Sequence, residues 1–105
     1  MAIITIVGSG MMGSAIGIPA SENGHEVRLV GTPLDREIIE HARATGWHLN
    51  MRRKLPESYK YYQFEELSSA LDGADAVVSG VSSFGVDWFL QTVLPILPEK
   101  LPFLP

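Results

Sequence analysis

Apolar residues come in short unbroken runs along this chain, and between the runs they recur every three or four positions. Such runs are typical of parallel strands buried on both faces, and the wider spacing is typical of helices packed on a sheet. The pattern predicts four strands, at residues 2–7, 25–30, 59–64 and 75–82. The third is rich in tyrosine and is expected at the edge of the sheet.

Helices are predicted between these strands. The first is expected over residues 10–23, with a bend at Pro19, because proline lacks the N–H that would bond to the carbonyl of Ala15. Gly24 is expected to close this helix in the left-handed conformation. A short helix is expected over residues 65–71. The last helix carries its apolar face on Val86, Phe89, Leu90, Val93, Leu94 and Leu97.

The second long helix has its own start and stop signals. Thr32 is expected to be its N-cap, Pro33 its first helical residue and Asp35 a partner in a capping box. Gly46 is expected to end it. Its apolar face is formed by Leu34, Ile38 and Ala42, at a spacing of four.

A glycine-rich turn directly follows the first strand and consists of Gly8, Ser9, Gly10, Met11, Met12 and Gly13. Gly-x-Gly-x-x-Gly between a strand and a helix is the fingerprint of a turn that binds a dinucleotide. Gly8 allows the tight turn, Gly10 lets the backbone approach a pyrophosphate, and Gly13 lets the helix pack on the strand. The start of the helix adds backbone N–H groups for the phosphates. All six residues are therefore predicted to bind the cofactor.

The alternation of strands and helices predicts an α/β fold, a Rossmann-type doubly wound parallel sheet of about four strands in the order 3-2-1-4 with flanking helices. In such a sheet the ligand lies beyond the carboxyl ends of strands 1 and 4, where the order reverses. The turns at residues 8–13, 31–33 and 82–84 are expected to meet there. Ser82 and Ser83 are predicted to contact the cofactor or to cap the last helix.

The choice between NAD and NADP stays open. A fold of this kind that prefers NAD usually has an acid at the end of strand 2, which bonds the ribose 2′-hydroxyl. Here that strand ends without a carboxylate, at Val30 and Gly31. Thr32 could bond a 2′-hydroxyl or a 2′-phosphate, and Arg36 could reach a 2′-phosphate. The missing acid favours NADP slightly.

Composition limits the kinds of protein that the chain can be. A chain of 105 residues, 46% of them hydrophobic, fits one domain over residues 1–105. The net charge of −4 argues against a nucleic-acid partner. No run approaches the roughly 20 apolar residues of a membrane span. The chain has no cysteine, which excludes disulfides and thiolate chemistry and fits a cytoplasmic protein.

No residue is predicted to be catalytic, and no cluster has the spacing of metal ligands. The three histidines, His25, His41 and His48, are interpreted as solvated surface residues. The stretch 47–58 is the least regular part of the chain and contains the basic residues 52–54. These are either a solvated connection or a basic rim that helps to hold phosphate.

With these motifs identified, the chain resembles the N-terminal domain of NAD(P)-dependent glycerol-3-phosphate dehydrogenases. The matching segments are residues 6–15, 23–29, 54–56, 74–78 and 81–83, and the resemblance extends to about Leu97. It implies a parent enzyme that transfers hydride between NAD(P)H and dihydroxyacetone phosphate. Met12 departs from the family, which often has an aromatic residue there, and Ser82 stands where the family usually has proline.

The family's catalytic lysine and helical substrate domain have no counterpart in these residues. The chain is therefore expected to be an N-terminal fragment, inactive alone, that meets a small phosphorylated substrate only with the missing domain. Two alternatives are a reductase similar to ketopantoate reductases and a non-catalytic module that binds a dinucleotide or senses its redox state. A sheet ending at strand 4 would leave that edge unpaired, so the chain is also expected to associate with itself there.

Overall fold

The computed structural model describes residues 1–81, 85–97 and 101–104. Its strands are β1 (Ile3–Val7), β2 (Glu26–Val30), β3 (Trp47–His48), β4 (Arg53–Lys54), β5 (Lys60–Tyr62), β6 (Ala76–Ser79) and β7 (Phe103–Leu104). Its α-helices are α1 (Met11–Ile16), α2 (Ile18–Glu22), α3 (Arg36–Thr45), α4 (Leu67–Leu71) and α5 (Val86–Trp88). A 3₁₀ turn, Phe64–Glu66, precedes α4, while α5 continues as a π turn, Phe89–Val93, and a 3₁₀ turn, Leu94–Ile96.

The main sheet has the strand order β5-β2-β1-β6-β7, and all its pairings are parallel. The four predicted strands lie in the predicted order, 3-2-1-4, and the doubly wound α/β fold is confirmed. The expectation of an unpaired β6 edge is wrong, because Val77 and Val78 pair with β7. The reason given for self-association, an unpaired β6 edge, therefore does not hold.

Two apolar layers enclose the sheet, one on each face. On the face of α2 and α3, Ile6, Leu29 and Ile39 belong to one buried cluster. On the other face, Val7 and Val77 pack with Leu67 of α4 and with Phe89 and Val93 of the last helical segment. Helices on both faces explain why these strands are apolar at successive positions.

Two helix predictions are corrected in detail. The first helix is interrupted at Gly17, which separates α1 from α2 one residue after Ile16, and Pro19 lies in the first turn of α2. The second long helix begins at Arg36 and not at Pro33, because the preceding residues form a separate turn in which Asp35 N–H donates to Thr32 O at 2.9 Å. Gly46 ends α3 with φ of 81°, as predicted.

The irregular stretch after α3 contains a two-stranded antiparallel hairpin, β3–β4, with Trp47 opposite Lys54 and His48 opposite Arg53. Arg52 lies in its turn with φ of 52°. None of the helices in the described ranges is long and apolar enough to cross a membrane.

Candidate functional site

A crevice of about 260 Å³ lies at the carboxyl ends of β1 and β6, where the strand order reverses. This is the place in an open α/β sheet where ligands bind. The turns after β1 and β2 contribute to its wall, as the sequence predicts. The third predicted turn, at residues 82–84, lies outside the described residues. Its lining residues are Gly8, Gly10, Met11, Met12, Thr32, Leu34, Asp35, Ser79, Gly80, Val81 and Gly85.

Three glycines, Gly8, Gly13 and Gly80, are in close contact, and two of them, Gly8 and Gly80, line the crevice. A Cβ on Gly13 would lie 2.1 Å from the carbonyl oxygen of Gly8, and a Cβ on Gly80 would lie 2.7 Å from Gly13 Cα. Gly8 itself has φ of +115°, a conformation that side chains disfavour. The roles predicted for Gly8 and Gly13 thus agree with this packing. Gly80 was not predicted, although a glycine within a strand signals a close backbone approach.

Gly10 differs from these glycines because it faces open space. A Cβ built there has no atom within 4 Å, and its backbone, with φ of −63° and ψ of 179°, suits any residue. Ser14 N–H makes the first helical hydrogen bond of α1, to Gly10 O at 2.9 Å, so the amides before it have no intrahelical partner. The turn therefore has free space and backbone donors side by side, which fits a pyrophosphate.

Ser9 is fully buried, and side chains from other elements hold its backbone. Its N–H donates to Asp35 Oδ2 at 3.1 Å, while its carbonyl oxygen lies 2.9 Å from Ser14 Oγ and 2.7 Å from His48 Nε2. Ser9 and His48 do not line the crevice, so they can affect its shape only through the backbone of the glycine turn. The interpretation of His48 as a solvated residue is wrong, because none of its surface is exposed.

The end of β2 has no carboxylate, but Asp35, in the turn between β2 and α3, places one in the wall of the crevice. Its Oδ2 accepts hydrogen bonds from Thr32 N–H at 3.0 Å and from Ser9 N–H, so it joins the β2–α3 turn to the glycine turn. Thr32 is buried beside it, and its Oγ1 accepts a hydrogen bond from Leu34 N–H at 3.2 Å. Thr32 therefore caps this turn and not the helix, whose N-cap is Asp35. The predicted capping box is wrong, because only its bond from Thr32 N–H to Asp35 is present and Thr32 Oγ1 bonds Leu34 N–H instead of Asp35 N–H. The hydrogen bond from Ser9 N–H to Asp35 was not predicted from the sequence.

Arg36 is placed outside the crevice. Its guanidinium forms an ion pair with Glu65 and lies 5.2 Å from the centre of the Phe64 ring. Ser82 and Ser83 lie outside the described residues. The structure thus places Gly8, Gly10, Met11, Met12 and Thr32 in the crevice wall. Ser9 and Gly13 belong to the same turn but do not line the crevice, and Arg36 lies apart from it.

Tyr59 supports the helix that follows the turn. Its hydroxyl donates to Ser14 O at 2.7 Å, and burial raises the pKa of Tyr59 well above its usual value. The neutral phenol is thus kept as a permanent donor. Among the described residues, no group of three or more His, Asp or Glu side chains is placed to hold a metal ion.

Fold and site together define a Rossmann-type α/β domain with a glycine turn of the dinucleotide-binding kind. Residues 3–104 match the family described as NAD-dependent glycerol-3-phosphate dehydrogenase N-terminus, and the chain belongs to that family.

Individual relatives agree with this assignment. The chain is 37% identical over 102 residues to the NADP(+)-dependent glycerol-3-phosphate dehydrogenase of Archaeoglobus fulgidus, covering 97% of this chain and 28% of the relative. It is 29% identical over 101 residues to the glycerol-3-phosphate dehydrogenase [NAD(P)+] of Shouchella clausii, covering 96% of this chain and 29% of that protein.

A solved structure has the same fold. The crystal structure of glycerol-3-phosphate dehydrogenase from Coxiella burnetii superposes with a TM-score of 0.82 at 24% identity, over 97% of this chain and 31% of that one. The chain therefore spans less than a third of the length of these proteins.

Proposed function

We propose that this chain is the part of a glycerol-3-phosphate dehydrogenase that holds the nicotinamide dinucleotide, NAD(H) or NADP(H). The observation that carries the proposal is the open space at Gly10 within the crevice at the carboxyl ends of β1 and β6. The family assignment supports it, because the relatives are named as NADP(+)- or NAD(P)+-dependent enzymes.

In this proposal the pyrophosphate lies over Gly10, with Met11 and Met12 supplying backbone N–H groups. Gly8 and Gly13 keep the turn close to the sheet, and Thr32 faces the ribose that follows. The contacts predicted from the sequence for Ser82 and Ser83 stay part of the proposal. A crevice of about 260 Å³ is near the lower end of small-molecule sites, roughly 300 Å³, so it takes only part of a dinucleotide.

The whole protein would transfer a hydride between the nicotinamide and a small phosphorylated substrate, dihydroxyacetone phosphate or glycerol 3-phosphate. The bound cofactor supplies the hydride chemistry, and the residues of this chain bind and orient it. We assign no catalytic residue here, and we expect the 105 residues alone to be inactive. We also place the protein in the cytoplasm, in keeping with a sequence that has no cysteine.

The alternatives have less support. The family match and the named relatives all favour glycerol-3-phosphate dehydrogenase over a reductase similar to ketopantoate reductases. A non-catalytic module would share the same crevice, and no contact among the described residues favours it.

The test is calorimetric titration of the purified chain with NADH and NADPH separately. We expect saturable binding of at least one of them with one site per chain, and competition by ADP-ribose, which shares the pyrophosphate. Circular dichroism on the same sample reports whether the chain is folded. A folded chain that binds neither dinucleotide would overturn the proposal.

A further inference from the structure

We infer that His48 is a positioning residue that orients the backbone of the cofactor-binding turn by bonding the carbonyl of Ser9. The inference rests on the proposed function of the crevice as a dinucleotide site. His48 comes from the β3–β4 hairpin, 39 residues away along the chain, and its Nε2 lies 2.7 Å from Ser9 O. It does not line the crevice, so any effect on a ligand passes through the turn.

The hydrogen-bond network determines which nitrogen of His48 carries the proton. Its Nδ1 accepts from the backbone N–H groups of Asn50 and Met51, both at 3.1 Å. A nitrogen that accepts two N–H groups has no proton of its own, so the proton of the neutral ring is on Nε2. His48 is therefore a donor to Ser9 O, and its own hairpin fixes its orientation.

Holding Ser9 O also fixes the direction of the next amide. In a planar trans peptide the carbonyl and the following N–H point in opposite directions. With Ser9 O turned towards the buried His48, the N–H of Gly10 is turned away from it. Gly10 lines the crevice, so His48 orients a donor that a phosphate oxygen can use.

The turn needs this support because it is rich in glycine. Gly8 and Gly10 flank Ser9, and glycine has more conformational freedom to lose than any other residue. If the turn were ordered only when the ligand binds, that ordering would reduce the affinity. Asp35 holds the N–H of Ser9, and His48 holds its carbonyl together with Ser14 Oγ, so both peptide groups of Ser9 are fixed before a ligand arrives.

Two conservative substitutions separate the roles of His48. In His48→Gln the amide nitrogen reaches the position of Nε2 and keeps a donor for Ser9 O. In His48→Asn the amide oxygen takes the position of Nδ1 and keeps an acceptor for the hairpin amides, but no donor from position 48 reaches Ser9, whose carbonyl then has only Ser14 Oγ. The same changes at His41, which is half-buried on α3 away from the turn, serve as matched controls.

Calorimetry with whichever of NADH and NADPH the unmodified chain binds more tightly gives the readout, with thermal unfolding measured in parallel. We expect His48→Asn to raise the Kd by about five- to tenfold and His48→Gln to stay within about threefold of the unmodified chain. Both His41 variants should leave the Kd unchanged. If His48 contributed only to stability, the Kd would rise in both His48 variants in proportion to their loss of thermal stability.

The outcomes distinguish the two ideas. Binding by the unmodified chain together with equal Kd values for the two His48 variants would overturn the positioning role. If the unmodified chain binds neither dinucleotide, the proposed function itself fails. Should His48→Asn not fold, His48→Gln carries the test: retained affinity supports the inference, and a loss greater than tenfold in the folded variant overturns it.

Discussion

Gly13 and Gly8 are packed so closely that a Cβ on Gly13 would lie 2.1 Å from the carbonyl oxygen of Gly8. Both partners are backbone, so neither can rotate away as a flexible side chain would. This contact sets the distance between the start of α1 and the end of β1, where Gly8 lines the crevice.

Gly13→Ala should therefore disrupt the fold. Overpacking against backbone costs about 3 kcal/mol or more. In a domain of this size that corresponds to a fall in Tm of more than roughly 10 °C. Thermal unfolding followed by circular dichroism measures it. A variant with the Tm of the unmodified chain would show that the packing seen here does not hold the turn.

Gly10→Ala is the matched opposite case. Its Cβ would enter open space and its φ is that of an ordinary residue, so we expect unchanged stability or a gain of about 0.4–1 kcal/mol. The same methyl group would occupy the space proposed for the pyrophosphate, and we expect the Kd for NADH or NADPH to rise at least tenfold. A stable variant that binds as well as the unmodified chain would place the pyrophosphate elsewhere.

Arg36→Ala tests the predicted contact with a 2′-phosphate. Arg36 pairs with Glu65, but both side chains are about half exposed, and an exposed pair of this kind contributes roughly 0–1 kcal/mol. A phosphate dianion can therefore draw the guanidinium from Glu65. We expect the variant to bind NADPH about three- to tenfold more weakly and NADH unchanged.

Glu65→Gln is the complementary change, since it releases Arg36 from its ion pair. It should leave NADPH binding unchanged or strengthen it. An equal effect of Arg36→Ala on both dinucleotides would remove Arg36 from the site.

Glu26 should make stability depend on pH. Its carboxylate is bonded to Arg28 Nε at 2.6 Å and to Lys60 Nζ at 3.0 Å. The hydrogen bond from Arg28, followed by that from Lys60, lowers the pKa of Glu26 below its usual 4.5. A lowered folded-state pKa means that the stabilisation is complete above about pH 4.5 and is lost as the pH falls through the folded value.

Urea unfolding at pH 7 and at several values below 4.5 measures this contribution. Glu26→Gln should lower the free energy of unfolding by about 1 kcal/mol at pH 7 and flatten its decline in acid. Glu57→Gln is the control, because Glu57 is 87% exposed and lies 3.4 Å from Lys54, so its removal should change little. Identical pH profiles for both variants would contradict the role of Glu26.

The sequence by itself determined the order of the strands and the position of the glycine turn. Both follow from local rules. Runs of β-branched residues form buried strands. Only glycine fits at position 8, where φ is +115°, and at position 13, where a Cβ would collide with the backbone of Gly8. Parallel strands joined by right-handed crossovers then leave few arrangements, so the crevice at the carboxyl ends could be predicted as well.

The tertiary structure alone decided which distant groups support the turn. His48 and Asp35 reach Ser9 across 39 and 26 positions of sequence, and no periodicity in either segment indicates such a contact. A histidine in a polar stretch has the same local pattern whether it is solvated or buried. Its burial depends on how the hairpin packs behind the turn, and that packing is a property of the folded chain, as is the pairing of β7 with β6.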